Sequence, residues 1–312
     1  MTSTGLPVTT PSRIVSVKPI VLPAPDRGDD LHVRVSTPVA GERLPIIVFA
    51  HGFGSDLDGY APLVDYWSAR GFVVIQATHP DSKRLATPLD DPHKPDVWRR
   101  RVQDMKRILE ELDTVEAAVP GLAGRMDRSR IVAAGHSFGG QTAGILVGLR
   151  VTDPMTGTAE DLSDGRVMAS VQLATAGKGG DELTPFAHEN LPWLRDQDFS
   201  HITVPQLVVA GDEDEVGLST RGPAWTVDPY LLSGSTDKSL LTVHGGQHFL
   251  GGISGYEVAE TTDENPDRVA LVQQVTLAYL RHVTGIDSTG WEKTRSALTG
   301  EAAHRLGRLE SR

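Results

Sequence analysis

The strongest constraint on this chain is a set of short, nearly unbroken apolar runs: Ile46–Ala50, Phe72–Ala77, Ile131–Gly135 and Gln206–Ala210. A strand with one wet face alternates apolar and polar residues. A run without alternation suits a strand covered on both faces, as in a parallel sheet between helices. Segments of helical period separate the runs. Residues 59–70 bring Tyr60, Leu63, Val64 and Trp67 to one side before Gly71. In Val97–Val119, the residues Trp98, Val102, Met105, Ile108, Leu109, Leu112 and Val115 recur at three- and four-residue steps until Pro120-Gly121 stops them. Gln141–Leu149 reads as a small-residue helix, and Asn265-Pro266 opens a last long helix that ends at Gly285. Val167–Thr175 and Leu240–Val243 supply further strands, and Ile14–Val21 with His32–Thr37 an antiparallel lead-in pair. The fold class is therefore α/β, with a mostly parallel central sheet flanked by helices.

One α/β domain over residues 13–285 accounts for most of the 312 residues. A disordered tail rich in Thr, Ser and Pro is expected over residues 1–12, and a polar, partly helical extension over 286–312. Residues 80–96, and the segments 150–166, 176–200 and 215–238, read as loops laid over a site rather than as domains.

Lys+Arg is 30 and Asp+Glu 41, a net charge of −11. A nucleic-acid binder needs a basic face, so that class of partner is not expected. The chain has no cysteine, which removes disulfides, zinc–thiolate sites, iron–sulfur clusters and thiol nucleophiles. No apolar stretch reaches the length of a membrane span. The first residues lack a charged start followed by an apolar segment, so no secretory signal is expected and the cytoplasm is the default location, with secretion the alternative if a signal has been removed.

The residues with chemistry sit where the buried runs end. Gly135-His136-Ser137-Phe138-Gly139 fits G-x-S-x-G between a bare strand and a helix. A sharp strand-to-helix turn leaves no room for side chains at its flanks, and it presents the serine on strained backbone. The Phe138 N–H and the helix N-terminus then face any negative charge formed there. The bland alternative is an ordinary serine in a glycine-rich turn.

A serine hydroxyl needs a base to become a nucleophile at neutral pH. The expected chain order is serine, acid, histidine. His248, in Gly245-Gly246-Gln247-His248-Phe249, follows the strand Leu240–Val243; His244 is its rival, and His282 and His304 read as surface residues. The acid should come from Gly211-Asp212-Glu213-Asp214-Glu215, where residue chemistry leaves Asp212 and Asp214 open. Phe53, within His51-Gly52-Phe53-Gly54, is the candidate second oxyanion donor; His51 reads as a packing residue. Phe53, Trp193 and Phe249 are candidate substrate-lining aromatics.

Together, the 51–54 loop, the 135–139 elbow and the loops at 211–215 and 245–249 resemble the α/β-hydrolase superfamily over roughly residues 30–285. In many members the acid stands in G-x-x-D, which here maps Gly211 to Asp214. Longer phrases, Val48-Phe-Ala-His-Gly-Phe-Gly54, Ala69-Arg-Gly-Phe-Val-Val74 and Gly135-His-Ser-Phe-Gly-Gly140, are similar to the branch of chlorophyllases, dienelactone-hydrolase-like proteins and platelet-activating-factor acetylhydrolases. There is one departure. The animal phospholipid acetylhydrolases carry the acid after the strand that follows the elbow helix, whereas here Ala174-Thr175-Ala176 holds none.

The resemblance implies a serine carboxylic-ester hydrolase. Its catalytic residues would be Ser137, His248 and Asp214, with the Phe53 and Phe138 N–H groups as oxyanion donors. Its partner would be a small-molecule ester, with no cofactor and no metal. An acyltransferase, thioesterase or amidase would use the same residues. A silent ligand-binding protein is the reading from another class.

Overall fold

The computed structural model describes residues 6, 9–86, 94–255, 263–299 and 305–312. The chain enters through β1 (Ile14–Leu22) and β2 (Leu31–Pro38), then β3 (Leu44–Ala50), α1 (Ala61–Ser68), β4 (Val73–Ala77), α2 (Val97–Glu110) and α3 (Leu112–Ala118). The middle of the chain forms β5 (Met126–His136), α4 (Phe138–Leu146), β6 (Arg150–Thr152), β7 (Ala159–Glu160), β8 (Val167–Leu173), α5 (Pro185–Asn190), β9 (Gln197–Asp198) and β10 (Gln206–Gly211). It closes with α6 (Asp228–Leu232), β11 (Lys238–Val243), α7 (Pro266–Val283), α8 (Ser288–Leu298) and β12 (Gly307–Ser311).

Nine strands make the main sheet, in the order β1-β2-β4-β3-β5-β8-β10-β11-β12. The run from β4 to β11 is parallel, and β1, β2 and β12 close its two edges antiparallel. Strand periodicity sorts the bare apolar runs onto two faces. Ile46, Val48 and Ala50 share one core with Val102, Met105 and Ile108 of α2 and with Ile145 and Leu146 of α4. Ile47 and Phe49 share the opposite core with Leu63, Val64 and Trp67 of α1 and with Val272, Val275 and Leu280 of α7. Both faces are covered, which is why the runs needed no polar alternation. Trp67 Nε1 donates to Thr276 Oγ1 at 3.0 Å, tying α1 to α7 across that core.

The helix expected over Val97–Val119 is broken at Glu111, whose φ of −99° and ψ of 22° leave the helical range. The residues read as a polar extension beyond 285 add α8 and a ninth strand to the sheet. Leu309 of β12 pairs with Leu241 and is buried. Gly307 has to be glycine there, since a Cβ would stand 2.7 Å from the Thr242 carbonyl and 2.7 Å from Leu271. At the other end, Leu6 is buried in the core; residues 1–5, 7 and 8 of the expected tail lie outside the described residues. Part of the 80–96 loop, residues 87–93, lies outside them too. The 150–166 and 176–200 segments meet in a small sheet, β7-β6-β9.

Candidate active site

The four loops singled out in the sequence follow β3, β5, β10 and β11 and lie together at the carboxyl end of the parallel strands, where open α/β folds place their sites. Ser137 caps α4 with φ 55° and ψ −120°, the conformation of the first central residue of a type II′ turn and a glycine position. Its neighbours impose this. A Cβ at Gly135 would lie 2.1 Å from the Gly139 carbonyl oxygen, and one at Gly139 would lie 2.0 Å from the Ala50 oxygen. The elbow therefore seats directly on β3. Ser137 N–H donates to the Leu173 carbonyl at 2.8 Å, and its own carbonyl accepts from Gly140 N–H at 2.9 Å and Thr175 Oγ1 at 3.0 Å.

His248 Nε2 stands 2.8 Å from Ser137 Oγ, and its Nδ1 stands 3.1 Å from both oxygens of Asp214. The carboxylate holds the proton on Nδ1, which leaves the Nε2 lone pair for the serine hydroxyl. Asp214 is fully buried. The structure separates the two acids. Asp212 turns away and accepts the Gly245 N–H at 2.6 Å, holding the histidine loop instead of the imidazole. Gly211 and Gly246 make this crossing possible: a Cβ at Gly211 would meet the Gly246 oxygen at 2.0 Å. His244, the rival base, faces the other way; its N–H donates to the Leu306 carbonyl and its carbonyl accepts from Arg268. His282 stacks on Trp291, and His304 lies outside the described residues.

A chain of buried polar groups fixes the histidine loop from behind. Gly52 N–H donates to Tyr60 Oη at 3.0 Å, so the phenol proton goes to His136 Nδ1 at 2.8 Å. His136 then carries its proton on Nε2 and donates to the His248 carbonyl at 2.7 Å. Burial, with His248 close by, pushes His136 down to about 3, so it keeps this neutral tautomer at ordinary pH. On the other side, Asp263 accepts from Gln247 N–H at 2.8 Å and Gly251 N–H at 2.9 Å. The sequence reading missed Tyr60, His136 and Asp263 as parts of this site. The position of His136 inside the elbow was the one available signal.

Phe53 and Phe138 lie side by side, ring centroids 6.5 Å apart. Phe53 is 63% exposed, at the mouth of the site. Trp193, read as a wall for substrate, is instead buried behind Phe138, stacked at 5.3 Å. Phe249 packs on His136 at 5.4 Å and edge-on to His248 at 5.6 Å. His51 is buried, with Nδ1 donating to the Gly52 carbonyl at 2.7 Å and Nε2 accepting His79 N–H at 3.0 Å. Among the described residues, no group of three or more His, Cys, Asp or Glu is placed to hold a metal ion, and no helix is long and apolar enough to cross a membrane.

Residues 47–289 match the model of the alpha/beta hydrolase family, a span that includes every loop of the site. The chain belongs to that family. Hydrolysis is the class of chemistry this membership supports. The chain is also similar to the platelet-activating factor acetylhydrolase of Cavia porcellus, 25% identical over 136 residues. That match covers 33% of this chain and 31% of the guinea-pig protein, so it spans less than a third of the relative's length.

Proposed function

We propose that this hydrolase cleaves carboxylic esters through an acyl-enzyme intermediate. The observation that carries the reading is the contact of His248 Nε2 with Ser137 Oγ at 2.8 Å, while Nδ1 rests on the buried Asp214. His248 takes the hydroxyl proton as Ser137 Oγ attacks the ester carbonyl. The Phe53 and Phe138 N–H groups, with the N-terminus of α4, take up the charge on the tetrahedral oxygen. His248, now protonated and held by Asp214, gives the proton to the departing alcohol. Water then enters, loses a proton to His248 and releases the acid. A relative named as an acetylhydrolase supports acyl hydrolysis. The exposed Phe53 offers an apolar contact for an acyl or alcohol group.

Hydrolysis of a p-nitrophenyl ester series, acetate to palmitate, by the wild type and Ser137→Ala tests the reading. Turnover that is lost in the variant is expected, and the chain-length profile sizes the pocket. If a folded wild type turns over no ester but cleaves amides or thioesters, or transfers acyl groups, the ester assignment falls. If a fluorophosphonate also fails to label Ser137, the site is silent.

A further inference from the structure

Behind the 51–54 turn lies a guanidinium with no exposure to solvent, that of Arg101 on α2. Its neighbours on the buried face include Val97, Trp98, Val102 and Met105, so an apolar residue would suit the register. Burying a cation costs several kcal/mol, and a buried ion pair is often no more stabilising than apolar residues of similar volume. Fold stability alone therefore gives no reason for this arginine.

The contacts of Arg101 supply one. Nη2 donates to the His51 carbonyl, Nη1 to Asp81 Oδ1 at 2.6 Å, and Nε to Thr142 Oγ1 at 3.1 Å. Thr142 Oγ1 in turn donates to the Phe138 carbonyl at 3.0 Å, and the guanidinium carbon lies 4.5 Å from the centre of the Phe138 ring. The second oxygen of Asp81 accepts the Gly54 N–H at 3.2 Å. The ion pair thus grips the peptide group on each side of the one that bears the Phe53 N–H. The carbonyl of that middle peptide, Gly52, accepts from His51 Nδ1 at 2.7 Å and Ser55 N–H at 3.2 Å. In a trans peptide the N–H points opposite its carbonyl, so the Phe53 N–H is turned away from these partners. The same guanidinium braces the first turn of α4, where the Phe138 N–H lies.

We infer that the Arg101–Asp81 pair is the positioning device of the oxyanion site, holding the Phe53 and Phe138 donors in the geometry of the tetrahedral intermediate. The inference rests on the ester-hydrolase reading. Burial works to raise Asp81, yet the charge and hydrogen bond of Arg101 hold its carboxyl below the ordinary value, so the pair stays charged at neutral pH.

The test compares wild type, Arg101→Lys and the double variant Arg101→Met/Asp81→Leu, which removes both charges and leaves none unpaired. For each, kcat and KM are measured on p-nitrophenyl acetate. Inhibition is measured with a trifluoromethyl ketone, which forms a serine hemiketal oxyanion, and with the matching non-fluorinated methyl ketone. Misplaced donors are expected to lower kcat of the double variant by about 10²-fold, with KM within about threefold. Trifluoromethyl ketone affinity should fall in parallel with kcat, while the methyl ketone's stays unchanged. Arg101→Lys, which keeps the charge without the fork, should fall between. A folded double variant with wild-type kcat overturns the inference. So does a rise in KM with trifluoromethyl ketone affinity intact, and so does failure of both variants to fold, which would make the pair a requirement of the fold. Wild type without turnover and without fluorophosphonate labelling of Ser137 removes the ester reading, and the inference with it.

Discussion

Ser137 should be held in place against its own backbone preference, and glycine should relieve it. At φ 55° and ψ −120° a residue with a Cβ carries strain of roughly 1–3 kcal/mol. The strain has no route of escape. The backbone is bonded to Leu173, Gly140 and Thr175, and Gly135 and Gly139 are wedged against β3. Ser137→Ala removes the bond to His248 but keeps the Cβ, so the strain remains. Ser137→Gly removes the same bond and also the strain, at an entropic cost of roughly 0.5–1 kcal/mol from the freer unfolded chain. With mid-range values, strain of about 2 kcal/mol against an entropic cost of about 0.75 kcal/mol, the glycine variant should be more stable than the alanine variant by about 1.2 kcal/mol. Urea titrations followed by circular dichroism read this as a higher midpoint at unchanged slope. Equal midpoints, or a lower one for glycine, would refute the claim that the elbow stores strain.

Further outcomes follow from the same geometry. Asp214→Asn should lower kcat by about 10⁴-fold on p-nitrophenyl acetate, by presenting the wrong partner to His248 Nδ1. Asp212→Asn keeps an acceptor for Gly245 N–H and should stay within about threefold of wild type; equal losses in the two variants would contradict the division of roles. Tyr60→Phe leaves the Gly52 N–H and His136 Nδ1 without their buried partner, and should cost about 1–3 kcal/mol in a urea titration. Stability should fall on acidification. His51 and His136 are both pushed to about 3, mainly by burial, so their contribution is complete above about pH 6.5 and is lost as the pH falls toward 3. Asp104, raised to about 6 by burial, acts with the opposite sign: its contribution is present below about pH 4 and lost as the pH rises through 6. His136→Gln should therefore flatten the stability–pH slope between pH 4 and 6 by about 1.4 kcal/mol per pH unit, and an unchanged slope would mean that His136 is not neutral in the native state.

Local features of this chain were legible in the sequence because the forces behind them act over a few residues. The bare apolar runs state that both sheet faces are covered. The spacing of Gly135, Ser137 and Gly139 states a sharp turn between strand and helix, since only glycine tolerates a neighbouring backbone at about 2 Å. His248 and the 211–215 acids could be placed because each follows a buried strand. Which acid meets the imidazole could not be read from the residues alone. Asp212 and Asp214 share one short turn, and the choice depends on Gly211 crossing Gly246, an approach between segments distant in the sequence.

The same holds for everything that braces the site. Tyr60 and His136 are 76 residues apart, Arg101 and the His51 carbonyl 50. In the sequence Arg101 was one more charge on a helix, and Trp193 one more aromatic near the site. β12 carried a single buried leucine, too little for a periodic signal, and exists because Leu309 finds Leu241. Short-range sterics and hydrophobic period belong to the sequence. Pairings between buried polar groups belong to the tertiary structure, because a buried donor finds its acceptor only when the strands and helices carrying them have already been brought together.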